Sequence, residues 1–278
     1  MRCGGTAIVA LLLAVLPAAC SRAAGEPWPE AGHGPSAVAL SEPQRRVADE
    51  LIGVFEHGDP APHYEAVETL GDGRGYTCGT IGFTTSGTEV RDVVAAYTAD
   101  VPGSPLARYL PRLRELADGG SADTGGLDGF AADWKAAAAD PRFRAQQDAL
   151  AGRLTLDPAL QAARKLGIRT PLGVAVLYDT AVQHGTGDDP DGMPALIARA
   201  MRRAGGEPAG GVDEQDWLQA FLDEREQTLR HAHDQDTRAA WSESTGRVDA
   251  LRELVDDSRW RLDPPVRITV DGDDYDLR

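Results

Sequence analysis

The sequence predicts a mainly α-helical α+β protein carrying a small β-sheet. Three observations lead to this class. Apolar residues recur at three- and four-residue steps over most of the chain, as in Val47, Leu51 and Phe55, or in Trp217, Phe221 and Leu222. Residues 71–88 break that pattern, with six glycines (71, 73, 75, 79, 82 and 87) set among Thr, Tyr, Ile and Phe, a composition that suits short, tightly turned strands. A third run, Val266 to Val270, alternates apolar and polar residues and reads as one more strand.

Taken in order, residues 1–20 read as an export signal. Arg2 supplies a positive start, Ala7 to Leu16 form an apolar run too short to cross a membrane comfortably, and Ala18-Ala19-Cys20-Ser21 offers small residues for cleavage. Cys20 leaves two readings open. A lipid-bearing cysteine is usually preceded by Leu three positions earlier, and Pro17 stands there, with Leu16 one further back. The protein is either released outside the cell or anchored to the outer face of the membrane through Cys20; only the second involves a membrane. Residues 21–40, rich in Ala, Gly, Pro and Glu, read as a flexible linker. The remainder, 41–278, is long enough for one sizeable core or for two lobes sharing a cleft.

Within that domain Ser41 opens a helix, with Gln44 completing a capping box, and Ile52 widens the stripe formed by Val47, Leu51 and Phe55. Leu106, Tyr109, Leu110 and Leu113 form a second stripe. The segment Thr170 to His184 is apolar on nearly all sides, which predicts a buried central helix. Asp179 lies inside it, and a buried carboxylate requires a cation. Arg225 follows Trp217 and Phe221 at four-residue steps and should face inward; Arg238 is the other candidate. Cys78 is most simply a buried apolar residue, since three cysteines, one of them within the signal, build neither a disulfide framework nor a CxxC site.

The net charge is −16, from 44 acidic and 28 basic residues, which argues against nucleic acid or an anionic membrane surface as the main partner. It suits a cationic partner or none.

Two carboxyl groups stand out. Glu56 lies one turn beyond Ile52, at the end of the first helix and beside its apolar face, a placement expected to favour the protonated acid. Sixteen positions later, Gly71-Asp72-Gly73-Arg74-Gly75 exposes Asp72 on a sharp turn without side-chain bulk beside it. A phosphate-cradling loop fits poorly, because the turn does not clearly join a strand to a helix and Asp72 would repel phosphate. Calcium fits poorly too, for want of regularly spaced oxygen ligands. His231-Ala-His233-Asp234 lacks a third metal ligand, and Asp271 to Asp276 reads as an exposed acidic tail; no metal or cofactor is expected.

Several ordered blocks give a closer match. Leu51 to Glu56, Leu70-Gly-Asp-Gly-Arg-Gly-Tyr-Thr77 and Ile81-Gly-Phe83 resemble the family 46 chitosanases, within the lysozyme-like superfamily. The likeness continues through Asp133-Trp134, Ala136 to Asp140, Tyr178-Asp179 with His184-Gly185, Phe221 to Asp223 with Arg225, His233-Asp234 ahead of Arg238, and Leu262 to Pro265. It spans about residues 41–275.

The resemblance implies a lysozyme-like two-lobed fold with the sheet beside the active-site cleft. It also implies inverting endo-hydrolysis of β-1,4 links between glucosamine units of chitosan. Glu56 would be the proton donor, Asp72 the general base and Thr77 the residue that positions water. Inversion needs the two carboxyl groups roughly 6.5–9.5 Å apart or more. Arg74 would steer Asp72, and Asp179, Arg225 and Arg238 would form a buried network. Tyr76, Glu89, His233 and Asp273 would touch the sugar. Two positions depart from the family: Glu89 stands where Asp is common, and Ala66 where a Tyr is expected, with Tyr64 nearby. Chitosan, a polycation, is the implied partner of a monomeric, acidic protein. A muramidase would suit a basic protein better, and a non-catalytic binder of cationic glycans would have no need of Glu56, Asp72 and Thr77.

Overall fold

The computed structural model describes residues 39–71, 73–233 and 235–278. The expected signal at 1–20 and most of the linker at 21–40 lie outside the described residues. The fold is α+β and mainly helical, with two small antiparallel sheets. The chain divides into two compact units: Ile52–Leu154 falls in the first, and the stretch ending at Leu51 together with Thr155–Arg278 in the second.

Helix α1 (Glu42–His57) carries that division between Leu51 and Ile52. Its start follows the capping-box expectation, since Gln44 Oε1 accepts from the Ser41 backbone N–H at 2.9 Å. Val47, Leu51 and Ile52 are buried as the stripe predicts, whereas Phe55 is only half-buried. The buried row continues instead along Ala48, Ile52 and Glu56, each one turn after the last.

Unit 1 contains a three-stranded sheet, β1 (Val67–Thr69), β2 (Tyr76–Cys78) and β3 (Phe83–Thr84), with β2 in the middle. This is the sheet expected over 71–88. Helices α2 (Glu89–Asp100), α3 (Leu110–Gly119), α4 (Phe130–Ala137) and α5 (Pro141–Ala151) complete the unit. Its core is aromatic: Phe143 meets Tyr97 and Trp134 edge-on at 4.9 and 4.8 Å, and Phe130 meets Tyr109 edge-on at 5.3 Å. Leu106 and Tyr109 belong to a short 3-10 turn (Pro105–Tyr109) that precedes α3, and both are buried. Buried Trp134 and Gln147 both donate to the Tyr64 carbonyl, at 2.9 and 3.0 Å, which ties the chain ahead of β1 to α4 and α5. Cys78 is fully buried, and burial pushes its thiol up.

Unit 2 is built around α7 (Pro171–His184), in which every residue from Leu172 to His184 is buried. Thr170 caps it, accepting from the Gly173 N–H at 3.0 Å. Around it lie α6 (Asp157–Leu166), α8 (Met193–Ala204), α9 (Glu214–Arg230), α10 (Gln235–Ser242) and α11 (Gly246–Asp256). On α9, Trp217 and Phe221 are fully buried and their rings stack at 5.2 Å.

The chain ends in a hairpin of β4 (Val266–Val270) and β5 (Asp273–Leu277). The first strand was expected; the second corrects the reading of Asp271 to Asp276 as a tail. Asp271 and Gly272 both adopt positive φ (50° and 92°), the requirement of the tight two-residue hairpin turn. The acids of β5 are engaged across the hairpin: Thr269 donates to Asp274 at 2.8 Å, and Arg267 pairs with Asp276 at 3.0 Å.

Candidate active site

Unit 1 holds Glu56, Arg74, Tyr76, Thr77 and Glu89; Asp72 lies outside the described residues. Glu56 is the penultimate residue of α1 and only 7% exposed. The helix stops there because Gly58 turns with φ 67°, its N–H still bonding Val54 O at 2.8 Å. The chain then folds back on the helix at Gly53, where a Cβ would meet the Asp59 carbonyl at 2.8 Å. His57 follows Glu56, and its Nε2 lies 3.2 Å from the Thr80 carbonyl. A carbonyl only accepts, so Nε2 carries the hydrogen. These contacts fix the last turn of α1 in unit 1.

The glycine-rich turn joins β1 to β2. Gly71, Gly73 and Gly75 have φ of 73°, 82° and 78°, backbone that residues with a Cβ adopt at a cost. At Gly75 the absent side chain also makes room for the Thr85 hydroxyl, which accepts from the Tyr76 N–H at 3.0 Å. Ser86 N–H donates to Arg74 O at 3.2 Å, so both ends of the Arg74-Gly75-Tyr76 stretch are fastened to the chain after β3.

Strand alternation separates the β2 side chains. Cys78 is part of the unit 1 core, and Tyr76 packs against it with its ring stacked on Phe130 at 5.9 Å. Thr77 therefore projects from the opposite face of the strand. Its Oγ1 is buried and makes no hydrogen bond among the described residues.

Glu89 opens α2, and it is half-buried. Its side chain folds back over Gly87, where any Cβ would overlap the carboxyl group. Burial pushes the Glu89 carboxyl above its ordinary value and the charge on Asp92 adds to this, while the backbone N–H of Glu89 and bonds to Thr84 oppose it. Oε2 is buried without a hydrogen bond, and Glu89 forms no ion pair among the described residues. Tyr64, the aromatic residue near the departure at Ala66, spends its hydroxyl on Asp148 at 2.9 Å, which commits its ring to α5.

Unit 2 holds Asp179, Arg225, Arg238, His233 and Asp273. Asp179 and Arg225 meet as expected, Arg225 Nη2 lying 2.5 Å from Asp179 Oδ2, with both side chains essentially unexposed. The second guanidinium is not Arg238. Arg247 takes that place, its Nη2 2.8 Å from Asp179 Oδ1. Arg238 is exposed and donates from Nε and Nη2 to the Ala232 carbonyl at 2.9 and 2.7 Å. The physical reason lies in the helix faces: Arg247 precedes Leu251 and Val255 at four-residue steps on α11, so the row that buries those two buries it as well. The same spacing that singled out Arg225 applies to it. Gln183, one turn after Asp179, accepts from Arg225 Nη2 at 2.5 Å and donates to Ser244 at 2.9 Å. Asp273 is exposed at the start of β5, and His233 is exposed beyond the end of α9.

Comparison with known proteins agrees with this arrangement of helices and sheets. Residues 50–266 match the model of glycosyl hydrolase family 46. A chitosanase from Bacillus subtilis (strain 168) is 45% identical over 232 residues, covering 84% of each chain. A mutant chitosanase from Bacillus subtilis MY002, solved in complex with 6 GlcN, superposes with a TM-score of 0.81 at 43% identity, covering 86% of this chain and 100% of that one. The family 46 chitosanase of Gynuella sunshinyii, solved in complex with chitotetraose, gives the same TM-score at 42% identity, covering 86% of this chain and 99% of the other. A family match over most of the length, joined to that degree of identity, places this chain in glycosyl hydrolase family 46.

Proposed function

We propose that the protein is an endo-acting chitosanase that hydrolyses β-1,4 links between glucosamine units with inversion at the anomeric carbon. The observation that carries the reading is identity of 42–45% to chitosanases over more than four-fifths of the chain. The residues supply the chemistry. Glu56, buried at the end of α1, gives its proton to the glycosidic oxygen as the bond to the anomeric carbon breaks. Asp72 takes a proton from the water that attacks the opposite face of the sugar, and Arg74, two residues on, steers its carboxylate. The buried hydroxyl of Thr77, without a hydrogen bond among the described residues, holds that water. At the end of the cycle Glu56 is ionised and Asp72 protonated, and exchange with solvent restores both.

Substrate binding follows from charge. The Glu89 carboxyl, which forms no ion pair among the described residues, receives the ammonium of a glucosamine unit; Tyr76, His233 and Asp273 add contacts to the chain. The overall charge of −16 favours encounter with a polycation. The apolar run Ala7 to Leu16 and the small residues before Ser21 support export, either as a free protein or through a lipid on Cys20. The protein acts as a monomer and requires no cofactor.

Incubation of the protein with highly deacetylated chitosan, chitin and bacterial cell walls, followed by measurement of new reducing ends, tests the proposal. Activity confined to chitosan supports it. Activity on cell walls alone would make the enzyme a muramidase, and binding to chitosan without release of ends would make it a glycan binder.

A further inference from the structure

His233 owes its orientation to a residue that sequence spacing does not connect with it. Asp191 lies 42 positions earlier, in the segment between α7 and α8. One carboxylate oxygen accepts from the His233 backbone N–H at 2.7 Å, and the other lies 2.6 Å from His233 Nδ1. The two side chains differ sharply in exposure, 9% for Asp191 and 66% for His233. A buried carboxylate therefore holds an exposed histidine at two points, one on its backbone N–H and one on its ring. Exposed ion pairs between mobile side chains lack this geometry.

Asp191 is itself held. Its N–H donates to Asp189 Oδ1 at 2.9 Å, and its carbonyl lies 3.0 Å from Nδ1 of buried His184. Burial and the charges of Arg225 and Arg247 keep the His184 imidazole well below its ordinary protonation range, so the ring is neutral and Nδ1 donates. At Gly192 a Cβ would meet the Gly187 carbonyl at 2.6 Å, so this segment closes tightly on itself. His184 follows Gln183, the residue bonded to Arg225. The grip on His233 is thus anchored in the most buried polar part of unit 2.

We propose that Asp191 is a positioning residue for His233, fixing the ring with Nδ1–H inward and Nε2 outward, where Nε2 meets a hydroxyl or ammonium of the sugar. The sugar contact rests on the proposed function; the hold on the ring does not. An imidazole fixed in advance loses less freedom when substrate binds.

Imidazole ¹⁵N spectra of the whole protein at pH 8, with His233 assigned from a His233→Ala variant, test the hold. The parent is expected to show His233 as the Nδ1–H tautomer, and Asp191→Asn to shift it toward Nε2–H. A parent ring already in the Nε2–H form, or a spectrum indifferent to Asp191→Asn, overturns the proposal whatever the activity. Kinetics test what the hold achieves. Asp191→Asn and His233→Ala are each expected to raise KM for chitosan oligomers about tenfold, the scale of one charge-assisted hydrogen bond, with kcat little changed. The double variant should be no worse than His233→Ala alone; summed effects would mean that Asp191 acts independently of the ring. A changed spectrum with unaltered KM in His233→Ala supports the hold and overturns the sugar contact.

Discussion

Asp179 in unit 2 and Glu89 in unit 1 are both desolvated carboxyl groups, and their surroundings differ in sign. Asp179 lies between two guanidiniums, Arg225 at 2.5 Å and Arg247 at 2.8 Å. Glu89 has no cation among the described residues, and the charge that bears on it is the like charge of Asp92. Burial of an ion is costly in both cases. In unit 2 the cost is offset within the protein, so Asp179 is committed to holding helices α7, α9 and α11 together. In unit 1 the cost is left standing, and a cationic ligand is what would relieve it. A compensated buried charge marks architecture, and an uncompensated one is where the proposed substrate contact can be tested.

The largest effect on stability is expected from breaking the compensated charge. Asp179→Ala leaves two buried guanidiniums without their shared carboxylate and should cost about 3–5 kcal/mol in urea unfolding. A loss below about 1 kcal/mol would mean that Asp179 is not what balances them.

Next come the two arginines that sequence and structure rank differently. Arg247→Ala should cost about 3 kcal/mol or more, by removing one side of a buried pair. Arg238→Ala, at an exposed site bonded to one carbonyl, should cost less than about 1 kcal/mol. The reverse ranking, read from the same unfolding curves, would restore Arg238 to the network.

The smallest effect is at Glu89. Its carboxyl is raised in the folded state, so the folded protein keeps a proton that the unfolded chain releases, and stability falls as pH rises past the ordinary value of 4.5. Glu89→Gln should therefore match the parent below pH 4.5 and exceed it above, levelling off once the folded carboxyl has ionised. The same variant should raise KM for chitosan. Higher stability with unchanged KM would leave Glu89 as a strained carboxylate without a ligand.

Legibility followed the rules of spacing. The all-round apolar character of Thr170 to His184 gave α7 and its buried Asp179, and the four-residue step from Trp217 gave Arg225. That step also runs from Arg247 through Leu251 to Val255, and the Asp271-Gly272 pair announces the β4–β5 turn. Both signals are local; the family likeness points to Arg238 and so away from Arg247, and the acids of β5 hide the alternation of a strand. Asp191 is different in kind. It sits in a loop with no periodicity, and its bond to His233 exists only once α8 and α9 have packed.

The central claim is that Glu56 acts as an acid by the single proton it carries. Glu56→Gln keeps the shape of the side chain and removes that proton. The account predicts that release of reducing ends from deacetylated chitosan falls about 10²- to 10⁴-fold while chitosan binding persists. A variant that binds chitosan and retains most of the parent rate would contradict it.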